Sequence, residues 1–183
     1  VARSGEAALM LMLDIDHFKQ INDQHGHIVG DRVLQSVART LTNCVRPMDT
    51  LARYGGEEFA IVLPACPATF GVSVAERIRS AIERMPVVIS PTLALQIATS
   101  IGGAHALQWI RSTTTLWTER ADKQLYLAKS AGRNRVHIEE QPDSTVSAEE
   151  KSLLFGPLYA PSPFDNGLNP DIATDVDPED GLR

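Results

Sequence analysis

Apolar residues recur in two rhythms along this chain, and the switches between them mark its elements. Leu9-Met10-Leu11-Met12-Leu13 is an unbroken apolar run of strand length and predicts a strand over 7–14. A short helix over 17–24 follows. Val33, Leu34, Val37, Ala38, Leu41, Cys44 and Val45 return at helical spacing and predict a helix over about 28–45 with one apolar stripe. Leu51-Ala52 and Phe59-Ala60-Ile61-Val62-Leu63 read as the two arms of a β-hairpin over 50–63. Val72, Ala75, Ile78 and Ile82 mark a helix over 68–84, and strand-like segments occupy 87–90 and 93–104 on either side of Ser90-Pro91. A last helix spans about 113–131 and stops at Gly132, a residue suited to a C-cap. Val136-His137-Ile138 closes the sheet. Helices alternate with strands but a tight hairpin is included. The fold class is therefore α/β (α+β), a single central sheet, mixed and mostly antiparallel, flanked by helices.

Length and composition allow one such core: the chain has 183 residues, 43% of them hydrophobic. Its formal net charge of -6 is unevenly spread. From Glu139 onward acids far outnumber Lys151 and Arg183, so the preceding part is mildly basic. The same stretch holds Pro142, Pro157, Pro161, Pro163, Pro170 and Pro178 with no sustained period. This divides the chain into a domain over 1–138 and a largely disordered acidic tail over 139–183, with one short apolar patch at Leu153-Leu154-Phe155. Cys44 and Cys66 lack CxxC spacing and read as reduced thiols of a cytoplasmic protein. Leu9 to Leu13 is far short of the roughly 20 apolar residues of a membrane span, and no basic-then-apolar signal segment opens the chain. The start at Val1, without a methionine and almost at a core strand, reads as a piece of a larger protein. Segments outside it could anchor that protein to a membrane.

Chemistry concentrates in two acidic pairs. Ala52-Arg53-Tyr54-Gly55-Gly56-Glu57-Glu58-Phe59 presents adjacent carboxylates at a glycine turn, where paired glycines permit positive backbone angles and close approach to a ligand. Asp14 and Asp16 are two apart at the end of the first strand and share a face. Like-charged carboxylates repel unless a cation or hydrogen-bond donors compensate them. With no histidine or cysteine cluster at ligand spacing beside them, magnesium with a phosphate-bearing substrate is favoured over zinc. No GxxxxGK[ST] loop is present, which counts against an ordinary GTPase. Nucleic acid is not an expected partner.

Asp14-Ile15-Asp16-His17-Phe18-Lys19-Gln20-Ile21-Asn22-Asp23, Gly26-His27, Gly30-Asp31, Arg53 to Phe59, Ser100-Ile101-Gly102, Ala121-Asp122 through Leu125-Tyr126 to Ala128-Lys129, and Gly132-Arg133-Asn134 occur in this order. Together they resemble the GGDEF family of diguanylate cyclases, in its GGEEF variant, from about residue 8 to 138. The resemblance implies a palm-like fold, similar to nucleotide cyclase catalytic domains, that condenses two GTP into cyclic di-GMP and releases pyrophosphate. It implies Asp14, the Ile15 carbonyl and Glu57 as ligands of magnesium or manganese. It makes Glu57, Glu58 and Lys19 the catalytic candidates, with Glu57 also the candidate base. Asn22 and Asp31 match guanine readers, and Lys129, Arg133 and the amides around Phe18 match phosphate binders. Lys129 and Arg133, four apart at a helix end, are read as reaching the same side. His27 is similar to a residue near the nucleotide; a role in fixing the turn before the long helix is as good a reading. Asp16 and Asp23 also have a plain reading as capping or solvated acids, the better one for Asp23.

Arg46-Pro47-Met48-Asp49 stands ahead of Gly55 in the pattern and spacing of the family's RxxD inhibitory site. Arg46 and Asp49 would grip a product guanine and phosphate, and Arg77 resembles the arginine that completes such sites. The family's DxLTxLxNR-like segment upstream of the first strand is absent here. The resemblance also implies a second GGDEF domain, since two GTP-loaded domains must meet, and an upstream sensory domain to align them. Three function classes stand: an active cyclase, a module that binds GTP or cyclic di-GMP without chemistry, and a dimerising scaffold.

Overall fold

The computed structural model describes residues 7–106 and 113–140. The expected acidic tail, beyond its first two residues, lies outside the described residues. Strand β1 (Ala8–Ile15) is buried at every position, which makes it the centre of the sheet. It is followed by α1 (Phe18–His25), α2 (His27–Cys44), β2 (Thr50–Arg53), β3 (Glu58–Pro64) and α3 (Ala68–Arg84). Strands β4 (Val87–Ser90), β5 (Leu93–Leu95) and β6 (Thr99–His105), helix α4 (Thr114–Ser130) and β7 (Val136–Ile138) complete the order. The main sheet runs β2-β3-β1-β6-β7. All its pairings are antiparallel except β6 with β7, so the sheet is mixed as the alternation of elements implies.

The period of two along β1 sorts its side chains onto two layers. Leu9, Leu11, Leu13 and Ile15 face a core shared with Phe18 of α1, Val33, Val37 and Leu41 of α2, and Ala75, Ile78 and Ile82 of α3. Met10 and Met12 face the other way, onto Ala121 and Leu125 of α4. Each fully buried leucine or isoleucine stabilises this arrangement by about 1.5–3 kcal/mol. The register sets Asp14 opposite Glu58 of β3 on one side and Ser100 of β6 on the other. The acidic end of β1 is thus flanked by the hairpin and by the strand that α4 covers.

Two expectations change. The segment 93–104 is not one strand: β5 pairs antiparallel with β4 in a separate two-stranded sheet, while β6 joins the main one. The break falls where Ile97 turns into the core and the Ala98 carbonyl accepts the Asp16 N–H at 3.0 Å. Leu93, Leu95 and Ile97 keep a period of two through this point, which carries no mark of a change of sheet. Helix α4 also ends one residue early, at a cap on Ala131, with Gly132 next at φ 116°. Its start is capped by Thr113, whose Oγ1 accepts the Leu116 N–H at 3.2 Å.

Gly102 is where α4 crosses β6. A Cβ there would overlap the α4 backbone, with Leu125 Cα at 2.6 Å. Gly102→Ala is expected to cost about 3 kcal/mol, because a backbone wall cannot yield; chemical denaturation measures it, and a loss under about 1 kcal/mol would show that α4 can slide.

Candidate active site

The acidic end of β1 collects groups from three further elements. Asp14 is 6% exposed, and its Oδ2 lies 2.7 Å from Lys129 Nζ of α4. The Ile15 N–H donates to the Glu57 carbonyl at 3.3 Å, which lays the hairpin turn against the strand end. Burial pushes the Asp14 carboxyl up, opposed by Lys129 and reinforced by Asp16. Glu57 is also raised, first by burial and then by the Asp14 charge. Asp14, Ile15 and Glu57 are therefore brought together. Among the described residues no three side chains of His, Cys, Asp or Glu surround one point, so a cation here would rest on two carboxylates and main-chain oxygen. Such an all-oxygen set, its repulsion only partly compensated by Lys129, suits a hard divalent ion.

The glycine turn works differently from the sequence expectation. Neither Gly55 nor Gly56 adopts a positive φ. A Cβ on Gly55 would crowd only Glu58 Oε2, at 2.5 Å, the end of a flexible side chain that can swing aside. The Glu58 side chain thus folds back over its own turn. Arg53 braces the same turn, Nε donating to the Gly55 carbonyl at 3.1 Å and Nη2 to that of Gly56 at 2.6 Å.

Helices α1 and α2 meet at Gly26, whose φ 80° and ψ 161° only glycine adopts readily. Its N–H bonds the Asn22 carbonyl at 2.8 Å. The tight join brings Asn22 onto Gly30: a Cβ on Gly30 would overlap the Asn22 amide oxygen and lie 3.3 Å from Phe18 Cζ. Gly30 therefore makes the space in which the Asn22 side chain rests. Asp31, the next residue, borders a cleft of about 280 Å³ between α2 and the hairpin, walled by Leu34, Ala38, Leu51 and Phe59. Phe18 itself is buried, following His17 in the left-handed region at φ 59°. Lys19 and His27 are exposed, and among the described residues neither side chain is hydrogen-bonded.

Lys129 and Arg133 are not neighbours on a helix face. Helix α4 closes in a Schellman motif, Gly132 N–H to the Lys129 carbonyl at 3.3 Å and Arg133 N–H to that of Ala128 at 3.1 Å. Arg133 stands outside the helix, at φ 63°. Both cations nonetheless act on Asp14, each drawing its carboxyl down. Asp16, 5% exposed, accepts from Ser100 Oγ at 2.7 Å and from the Asn134 N–H at 2.9 Å. It is neither a solvated acid nor a helix cap.

Away from this end, Arg46 Nε lies 3.5 Å from Asp49 Oδ2, which also accepts the Arg46 N–H at 2.7 Å. Arg77 Nη2 donates to the Cys44 carbonyl at 3.3 Å, bringing α3 against the same corner. The Asp49 side chain is 2% exposed. Sequence reasoning gave no role to Gly30, Arg53, Arg79, Ser100 or Asn134. All but Arg79 stood inside quoted motifs, but their use depends on contacts that the motifs do not show.

Comparison with known proteins decides the lineage. A family model described as "Diguanylate cyclase, GGDEF domain" matches residues 1–135. This chain belongs to the GGDEF family. The GGDEF domain is 43% identical over 133 residues to diguanylate cyclase A of Treponema denticola, covering 73% of this chain and 35% of that protein. Diguanylate cyclase DgcP of Pseudomonas aeruginosa is 42% identical, over 74% of this chain and 20% of the relative. The chain thus spans only 35% and 20% of the length of these two relatives. The crystal structure of the GGDEF domain of DgcB from Caulobacter crescentus in complex with c-di-GMP aligns with TM-score 0.71 and 35% identity, covering 76% of this chain and 80% of that one. The active GGEEF domain of a diguanylate cyclase from Vibrio cholerae aligns with TM-score 0.67 and 32% identity, over 75% and 85% of the two chains. Among the described residues no helix is long and apolar enough to cross a membrane.

The raised carboxyls give a pH signature. The folded domain holds the protons of Asp14 and Glu57 more tightly than the unfolded chain, whose ordinary values are 3.8 and 4.5. Their contribution to stability is therefore present below those values and is lost as pH rises through the folded ones. Without divalent ions, Asp14→Asn is expected to raise Tm near neutral pH and to flatten its fall with rising pH. Thermal scans across pH check this; a lower Tm for the variant at neutral pH would mean that Lys129 overcompensates Asp14.

Proposed function

We propose that this GGDEF domain is a diguanylate cyclase, condensing two GTP into cyclic di-GMP and two pyrophosphates. The observation that carries the reading is the convergence of Asp14, Glu57 and Lys129 at the end of β1, beside a cleft bordered by Asp31. Asp31 accepts from guanine N1–H and N2–H, and the Asn22 amide both donates and accepts. Adenine, with an acceptor at N1, meets the Asp31 carboxylate with the wrong polarity. Leu34, Ala38, Leu51 and Phe59 offer apolar walls to the purine.

Lys129 leaves Asp14 for the triphosphate as the nucleotide arrives, and Arg133 adds its fork to the same oxygens. Lys19 and the amides after His17 bind further phosphate oxygens. Magnesium or manganese held by Asp14, the Ile15 carbonyl and Glu57 supplies neutralisation of charge developing on the phosphoryl group. Glu57 is also a candidate to take the 3′-hydroxyl proton, a role that competes with full ligation of the metal. Glu58, folded over Gly55, shapes the turn that carries Glu57.

Each domain holds one GTP, and two domains of a homodimer aim each 3′-hydroxyl at the other's α-phosphate. A misalignment of about 1 Å costs on the order of 100-fold in rate. A sensory domain outside this chain supplies the alignment; SiaD of Pseudomonas aeruginosa has been solved with its activator SiaC. The need for GTP argues for a cytoplasmic site of action.

Product inhibition uses the corner where Arg46 and Arg77 lie, with Asp49 holding the Arg46 turn by its two contacts. The support is the Arg46 guanidinium paired with the buried Asp49 carboxylate and a second guanidinium, that of Arg77, on the Cys44 carbonyl two residues before Arg46, both donors for phosphate and guanine acceptors.

Incubation with GTP and magnesium over a range of protein concentrations, followed by mass spectrometry, tests the main reading. Cyclic di-GMP whose specific rate rises with concentration is the expected result. Absence of product at every concentration, with the upstream segment restored as well, leaves a binding module in place of an enzyme. Arg46→Ala is expected to weaken cyclic di-GMP binding about tenfold, the loss of one charged hydrogen-bonding partner; unchanged affinity in calorimetry would sink the inhibitory site.

A further inference from the structure

The turn after α4 is held in an unfavourable backbone shape by groups from three other elements. Arg133 and Asn134 are consecutive residues at φ 63° and 47°, the left-handed region that side chains other than glycine avoid. Such residues persist where their surroundings over-determine them. The Asn134 N–H donates to Asp16 Oδ2 at 2.9 Å at the end of β1, and Asp16 is fixed in turn by Ser100 Oγ of β6 at 2.7 Å. From α3, Arg79 Nη1 donates to Asn134 Oδ1 at 2.6 Å, and Asn134 Nδ2 donates to Glu83 Oε1 at 2.7 Å. Arg79 is itself locked, by Glu83 Oε2 at 2.9 Å and by Glu76 Oε1 at 2.6 Å. The main-chain N–H is thus committed to the end of β1 and both ends of the Asn134 amide to α3.

Ending α4 does not require this network, because Gly132 already closes the helix. What the network does determine is the direction in which Arg133 leaves the turn. Asn134 is well chosen for it, since asparagine tolerates the left-handed region and carries both a donor and an acceptor. Fixing the main chain under a long cation before the ligand arrives lowers the ordering cost of binding.

We propose that Asn134, anchored by Asp16 and Arg79, is a positioning residue that holds Arg133 against the substrate triphosphate. Asp16 acts as a hydrogen-bond anchor for that turn and not as a further metal ligand. The proposal rests on the reading of Arg133 as a phosphate ligand of GTP.

The test is equilibrium binding of α,β-methylene-GTP with magnesium to the full 183-residue chain, by calorimetry, for Asn134→Gly, Arg133→Ala and the double variant. Glycine adopts the left-handed backbone freely, so Asn134→Gly removes the side-chain lock without straining the turn, and Tm verifies that the fold is kept. Each single variant is expected to weaken binding about tenfold, and the double variant no more than Arg133→Ala alone, because the positioned side chain is then gone. Asp16→Asn, which keeps an acceptor for the Asn134 N–H, should bind near wild type with an unchanged magnesium midpoint, while Asp16→Ala should weaken binding as Asn134→Gly does. Additive losses in the double variant, or unchanged affinity for Asn134→Gly, overturn the positioning role. A displaced magnesium midpoint in Asp16→Asn overturns the anchor role. A wild-type chain that binds the analogue but forms no cyclic di-GMP refutes the cyclase reading alone, and the variant cycle still decides the positioning. A wild-type chain that does not bind it refutes both.

Discussion

Two carboxylates buried at the end of the central strand are the constraint on which the rest of this domain turns. Asp14 and Asp16 are each nearly inaccessible, and a buried negative charge is tolerated only when paired or hydrogen-bonded. The fold answers the two in different currencies. Asp14 receives a cation, Lys129 from the far helix; Asp16 receives neutral donors, the Ser100 hydroxyl and the Asn134 N–H. The first compensation is incomplete and leaves the carboxyl raised above its ordinary range. The second binds the loop after α4 to the core.

That division gives the site one adaptable half and one rigid half. A lysine is a flexible point charge and can pass from a carboxylate to a phosphate. A loop stapled by directional hydrogen bonds is fixed by comparison, so the main chain at Arg133 is held while the Lys129 side chain stays free to turn. Stability given up at Asp14 is a usual feature of functional sites, where a strained or repelled group is retained because the ligand relieves it. The close crossing of α4 over Gly102 carries Lys129 to the sheet and rigidifies the helix that holds it.

Much of this was legible in the sequence. The Leu9–Leu13 run announced the central strand, the stripe from Val33 to Val45 announced α2, and Gly55-Gly56 between apolar arms announced the hairpin, because burial imposes its period directly on residue order. The family likeness was legible for a related reason: the carboxylates and cations of its motifs stand at fixed spacings, and spacing is carried by residue order. The change of sheet between β5 and β6 was not legible, since Leu93, Leu95 and Ile97 keep a period of two across Gln96 whether the strand breaks there or not. The left-handed angles expected at Gly55 and Gly56 fell instead at Gly26 and Gly132, where helices end.

The amino-acid order by itself determined which segments are strands and helices, which acids stand two apart on a strand, and which lineage the chain joins. All of these are local or near-local regularities. Tertiary structure alone decided that Asp16 is bonded by Ser100 and Asn134 while Asp14 is paired with Lys129, that Arg133 lies in a Schellman turn and not on a helix face, and that Arg79 reaches Asn134 across the fold. Those outcomes depend on which donor a buried acceptor meets, and the donors come from residues far away along the chain, brought near only when the sheet and its covering helices close.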